Sequence, residues 1–186
     1  RCWLIDPLAG GDLAPFLAVL ADETVLKVLH DPQCDFLLLD RLHQCHPRNV
    51  FDTAKAAQLL GREQLSLEKL LAERCAVPPA GNCQADDWFI RPLPVKMLDY
   101  AAHDVVPLLA LKDALLADLQ VAGRLAWAQE EFALLEQIRF TAEPDPHLRL
   151  KGSGKLNPRE KEVLRALFGE RDRLAQKMNK PAYFIL

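Results

Sequence analysis

An α/β fold with helical cover is predicted for this 186-residue chain on three observations. Short apolar runs alternate with longer segments of helical spacing. Turn residues punctuate them, including Gly61, Gly123 and the prolines between residues 77 and 94. Half of the residues are apolar and 26% are charged, so the chain can bury a core and is not a disordered polymer. Alternating strands and helices of this kind pack as a sheet covered by helices.

Each element has a local reason. Cys2-Trp3-Leu4-Ile5 reads as a strand. Leu13, Phe16, Leu17 and Leu20 fall at helical spacing, with Asp12 where an N-cap belongs. Val25 to Leu29 reads as a second strand. Asp31-Pro32 supplies an N-cap and a first-turn proline for a helix to about His43. Asn49-Val50-Phe51 is a short third strand, and Asp52 or Thr53 caps a helix that stops at Gly61. Ser66 starts another, through Leu67, Leu70 and Leu71. Residues 77–94 form a loop. Val95 to about Phe140 is helical, broken near Gly123 and kinked at Pro107. Residues 141–157 read as a linker. Asn157-Pro158 then opens an amphipathic helix with Val163, Leu164, Leu167, Phe168 and Leu174, ending before Pro181. A single helix has little to pack against, so it reads as the start of a second, helical domain.

The net charge of −3 hides an asymmetry. Residues 146–186 hold 10 Lys and Arg against 4 Asp and Glu, whereas residues 1–145 hold 13 against 22. A basic tail behind an acidic body fits metal-binding carboxylates together with a polyanionic partner. On charge alone, a solvated basic helix is the simpler explanation. No apolar run reaches transmembrane length, and no signal peptide opens the chain. Five scattered cysteines without a C-x-x-C pair point to a reducing, cytoplasmic setting.

Tyr100 and Asp104 stand at i, i+4, on one helical face. A phenol and a carboxylate among apolar neighbours suit either catalysis or a hydrogen bond that locks packing. Asp35 falls in a first helical turn just after a strand, where the helix dipole favours an anion and where open α/β sheets place their sites. A favourable first-turn Asp has no need of a function. His30, at a strand end, suits a site or simple packing, and Trp88 suits a base or the core. Gly152-Ser153-Gly154-Lys155 is no phosphate loop, because Arg149 stands where the first Gly belongs and Leu156 where Ser or Thr belongs. It reads as a flexible basic linker whose Lys151 and Lys155 are candidate substrate contacts. His43, Cys45 and His46 lack the spacing of a closed zinc site.

Read together, Leu29-His30-Asp31-Pro32-Gln33-Cys34-Asp35 and Tyr100-Ala101-Ala102-His103-Asp104 resemble the second and third exonuclease motifs of the ribonuclease D family. Supporting segments are Leu4-Ile5-Asp6-Pro7-Leu8, Phe51-Asp52-Thr53, Asp87-Trp88 with Arg91-Pro92-Leu93, and Gly123-Arg124-Leu125 with Glu130-Glu131. Leu164 through Arg171-Asp172 to Asn179-Lys180-Pro181 resembles the opening of the helicase-and-RNase-D C-terminal (HRDC) domain. The resemblance implies a ribonuclease H-like fold. It also implies 3′-5′ exoribonuclease activity on RNA 3′ ends, such as tRNA precursors, with two divalent ions, Mg²⁺ or Mn²⁺. By the same resemblance, Asp35 and Asp104 are metal ligands and Tyr100 orients the attacking water. The implied division is an exonuclease domain over 1–140 lacking its first strands, a linker over 141–157, and the start of an HRDC domain over 158–186.

Two departures from the family pattern stand out. The first motif, an Asp-x-Glu, is absent, and the chain opens as if within a domain. The 186 residues alone are therefore expected to hydrolyse RNA poorly. Many family members carry a Lys before Asp-Trp, and Ala80-Gly81-Asn82-Cys83-Gln84 has none. A non-catalytic exonuclease-like module that binds nucleic acid or protein is the alternative.

Overall fold

A computed structural model describes residues 2–81, 83–178 and 180–185. Arg1, Asn82, Asn179 and Leu186 lie outside the described residues. So does that much of the two segments read at Asn82 and Asn179. The chain forms two compact units, Arg1–Phe140 and Thr141–Leu186.

In the first unit, strand β1 (Lys27–Leu29) pairs in parallel with β2 (Val50–Asp52), Val28 opposite Phe51. Before β1 comes helix α1 (Ala14–Ala21), where the Asp12 carboxylate accepts the Ala14 N–H at 2.8 Å. Helix α2 (Gln33–His43) makes the crossover between the strands. It begins one residue later than the sequence suggests. Asp31 adopts a left-handed conformation (φ 50°), so Pro32 takes the capping position. The expected Cys2–Ile5 strand is not formed. Those residues have no ladder partner among the described residues, and Trp3, Leu4 and Ile5 are exposed. Apolar character without a neighbouring strand makes no sheet.

Asp52 caps α3 (Thr53–Leu59), and Ser66 precedes α4 (Leu67–Cys75). The long helical stretch divides into α5 (Val95–Val105), α6 (Leu108–Val121) and α7 (Leu125–Leu135). Pro107 does more than kink it. The proline lacks an N–H and its ring clashes with the preceding turn, so α6 starts afresh behind it. Gly123, at φ 66°, makes the second break, in a conformation that costs glycine little.

The core lies where α3, α4, α6 and α7 meet β2. Leu111, Leu115 and Leu119 recur every fourth residue along α6 and are fully buried. Ala56 and Ala57 let α3 approach closely, while Phe51 meets Phe132 with ring centroids 4.8 Å apart. The apolar neighbours of Tyr100 and Asp104 do not bury α5, whose buried residue is Met97. At about 3.6 residues per turn, Met97, Tyr100 and Asp104 share one face. Val95, Leu98 and Val106 fall opposite and are exposed.

In the second unit, short 3₁₀ turns at Pro146–Arg149 and Ser153–Lys155 occupy the expected linker. Helix α8 (Pro158–Lys177) opens with a capping box: Asn157 accepts the Glu160 N–H at 3.0 Å, and Glu160 accepts the Asn157 N–H at 2.8 Å. The Arg171 guanidinium lies 4.1 Å from the Phe168 ring centre. Among the described residues, no helix is long and apolar enough to cross a membrane.

Candidate active site

A cleft of about 580 Å³ opens at the carboxyl end of β1. Leu29 and His30 line it from the strand end, Asp35 from the first turn of α2, Ser66 and Glu68 from the start of α4, and Tyr100, His103 and Asp104 from α5. The structure thus brings Asp35, Tyr100, Asp104 and His30 to one cavity.

The turn that presents Asp35 is held by β2 and α3. One Asp52 carboxylate oxygen accepts N–H groups from both Ala54 and Asp31 at 2.9 Å. It therefore caps α3 and fixes the left-handed residue ahead of α2. The Thr53 hydroxyl donates to the Leu29 carbonyl at 3.0 Å and lies 2.8 Å from His30 Nδ1. With its one proton committed to Leu29, it accepts from His30, which places a proton on Nδ1. His30 is therefore both packed and cleft-lining. Loss of water lowers its pKa, against the pull of Asp52 and Asp31.

Both carboxylates titrate above the usual carboxylate range. For Asp35 the chief cause is desolvation, and the charge of Asp31 adds to it. The sequence pointed the other way, since a helix N-terminus favours the anion. That effect is worth about 0.3–1 kcal/mol at an exposed site, and here desolvation and Asp31 outweigh it. Asp104 is likewise raised by desolvation, partly offset by His103, the Tyr100 hydroxyl and His30. The Tyr100 phenol is raised chiefly by desolvation and next by the Asp104 charge, while Gln84 acts to lower it.

Among the described residues, neither Asp35 nor Asp104 pairs with a Lys or Arg. Two carboxylates lining one cleft without a counter-cation suit a hard divalent ion. Among the described residues, no group of three or more His, Cys, Asp or Glu is placed to hold a metal ion. The pair therefore offers part of a coordination shell.

Trp88 does not line this cleft. Its indole stands behind Tyr100, centroids 6.3 Å apart, and its N–H donates to the Cys83 carbonyl at 3.0 Å. Lys151 and Lys155 are exposed in the second unit. Ser66, Glu68 and Gln84 carried no signal in the sequence as cleft residues. Ser66 read only as a helix start, and Gln84 sits in a loop without periodicity.

The sequence profile of the 3′-5′ exonuclease family matches residues 1–120, which include Asp35, Tyr100 and Asp104. The chain is 31% identical over 185 residues to ribonuclease D of Desulfotalea psychrophila, covering 97% of this chain and 50% of that protein. It thus spans about half the length of the curated ribonuclease D it matches. Escherichia coli RNase D, described as an exoribonuclease involved in structured RNA processing, superposes with a TM-score of 0.76 at 25% identity, over 94% of this chain and 47% of that one. Brucella melitensis NrnC with bound Mg²⁺ superposes with a TM-score of 0.60 at 27% identity, over 66% of this chain and 60% of that one. With two exonuclease motifs on one cleft and a family match across most of the first unit, the chain belongs to the 3′-5′ exonuclease family, of the ribonuclease D kind.

Proposed function

We propose that this chain carries part of the active site of a 3′-5′ exoribonuclease that trims RNA 3′ ends, tRNA precursors among them, in the cytoplasm. The observation that carries this reading is the convergence of Asp35, Tyr100 and Asp104 on a single cleft. Asp35 and Asp104 would hold divalent ions, Mg²⁺ or Mn²⁺, in a two-metal site. NrnC, related in fold, is known with Mg²⁺ bound. Such ions, when bound, supply a Lewis acid that lowers the pKa of water and stabilises charge on the departing oxygen.

The chain's own residues divide the remaining work. Asp35 and Asp104 provide anionic oxygens, the ligands a hard divalent cation prefers. Tyr100 offers a hydroxyl in the same cleft as Asp104 and Gln84, able to orient a water for in-line attack. No protein nucleophile is needed. The second unit, read as the start of an HRDC domain, adds a basic surface for RNA through residues 149–180. Two carboxylates leave most of an octahedral shell open. By themselves, these 186 residues should hydrolyse RNA poorly.

The test is single-turnover trimming of labelled RNA by the full-length protein, with affinity measured separately by anisotropy. Asp104→Asn keeps the shape but loses the charge and should abolish hydrolysis. Tyr100→Phe should slow it about a hundredfold, the ~3 kcal/mol of one oriented hydrogen bond, and spare RNA affinity. Wild-type turnover by Tyr100→Phe would return Tyr100 to a packing role. A full-length protein that binds RNA but leaves it intact with Mg²⁺ and Mn²⁺ would favour the non-catalytic module.

A further inference from the structure

Arg91 lies outside the cleft, in the loop between α4 and α5, yet its guanidinium makes four hydrogen bonds. Nε and Nη2 fork onto the two oxygens of Asp6 at 2.7 and 2.8 Å. Nη1 donates to the carbonyls of Trp88 and Ile90 at 2.8 and 2.7 Å. Asp6 is itself held, accepting the Leu8 N–H at 3.0 Å. Trp88 is held from its other side by its indole N–H on Cys83 and faces the Tyr100 ring. Gln84, next to Cys83, lines the same cleft as Tyr100.

We propose that the Arg91–Asp6 fork is a positioning clasp for Tyr100, and the proposal rests on the reading of Tyr100 given above. Both side chains remain partly exposed, at 36% and 24%. A pair so placed adds little to stability. Its worth is directional, because a planar guanidinium on a carboxylate fixes both partners in one geometry. Here that geometry joins residue 6 to a loop without helix or strand bonds of its own. The loop in turn backs the ring of Tyr100 with Trp88 and lines its cleft with Gln84. Released from Asp6, the loop loses its outer tether, and Tyr100 loses the wall that keeps its ring, and so its hydroxyl, in place in the cleft. Arg91 acts through Tyr100 and touches no reacting atom.

The experiment uses the full-length protein. Arg91→Gln removes the fork. Asp6→Asn keeps an oxygen for the Leu8 N–H but loses the charge, and it serves if Arg91→Gln folds poorly. Each should lower the single-turnover rate about tenfold and leave the Kd for RNA within about twofold. In a Tyr100→Phe background, where no hydroxyl is left to position, the same substitutions should change the rate by less than about twofold. Equal losses in both backgrounds would mean that the pair acts on stability at large, and the clasp would be wrong. A second readout is independent of activity. With 5-fluorotryptophan, the Trp88 fluorine signal, assigned through Trp88→Phe, should shift in both variants. A Trp88 signal unmoved in both overturns the clasp, whatever the protein does to RNA. If the wild type trims no RNA, the proposed function fails and the fluorine signal alone decides the clasp.

Discussion

Asp35, Tyr100 and Asp104 were legible in the sequence because each carries its chemistry in a short local pattern: a first-turn acid after a strand, and an i, i+4 pair. Residues that act across long separations were not. Arg91 and Asp6 stand 85 positions apart, and Asp40 reaches the Phe140 N–H across 100. Asp40 is buried on α2, and its carboxylate accepts from Phe140 N at 2.6 Å and His46 Nε2 at 2.9 Å. The Phe140 bond first, and His46 second, hold its pKa below the ordinary range. A depressed folded pKa gives stability that is present above the unfolded value, near ~3.9. That stability is lost as pH falls through the folded value. Denaturant midpoints taken from pH 7 downward should therefore drop on the acid side of about pH 4. Asp40→Asn should be less stable at pH 7 and show a shallower acid limb. Parallel limbs would mean that Asp40 does not contribute to acid unfolding.

Among the elements, α3 and α8 start where the sequence suggests, each behind a side-chain cap, Asp52 and the Asn157–Glu160 box, whereas α1 starts one residue later than expected, with Leu13 and not Asp12 at the capping position. The one-residue shift at α2 came from Asp31, whose left-handed backbone is fixed by Asp52, a partner that local pattern does not reveal. Asp52 therefore serves two elements at once. Asp52→Ala should cost about 0.5–2 kcal/mol for the lost helix cap, and it also removes the acceptor of the Asp31 N–H. It should also weaken metal binding, because the turn that carries His30 and leads to Asp35 is freed. Leu115→Ala, in the core on α6, should cost about 2–5 kcal/mol and leave metal affinity unchanged under folding conditions. Urea unfolding and Mn²⁺ titration of both variants separate the two effects. Equal loss of metal affinity in both would show that Asp52 acts only through global stability.

For the molecule as a whole, the alternation of apolar runs and helical spacing indicated the layered fold, and the Pro and Gly positions marked its breaks. The Cys2–Ile5 segment misled because strand character depends on a neighbour, and neighbours are not written in the segment itself. Its exposed Trp3, Leu4 and Ile5 have the composition of a strand without its partner. The shape of the cleft was equally illegible, since it is assembled from the start of α4, the loop at Gln84 and α5, segments whose meeting no local pattern reveals.

The claim that this cleft is a divalent-cation site is tested most directly by Mn²⁺ titration of the full-length protein, followed through the imidazole NMR signals of His30 and His103. Both line the cavity beside Asp35 and Asp104. Added Mn²⁺ should broaden both signals at substoichiometric ratios, Mg²⁺ in excess should restore them, and Asp35→Asn with Asp104→Asn should abolish the effect. Sharp signals in the wild type throughout, or unchanged broadening in the double variant, would contradict a metal-dependent active site built on these two carboxylates.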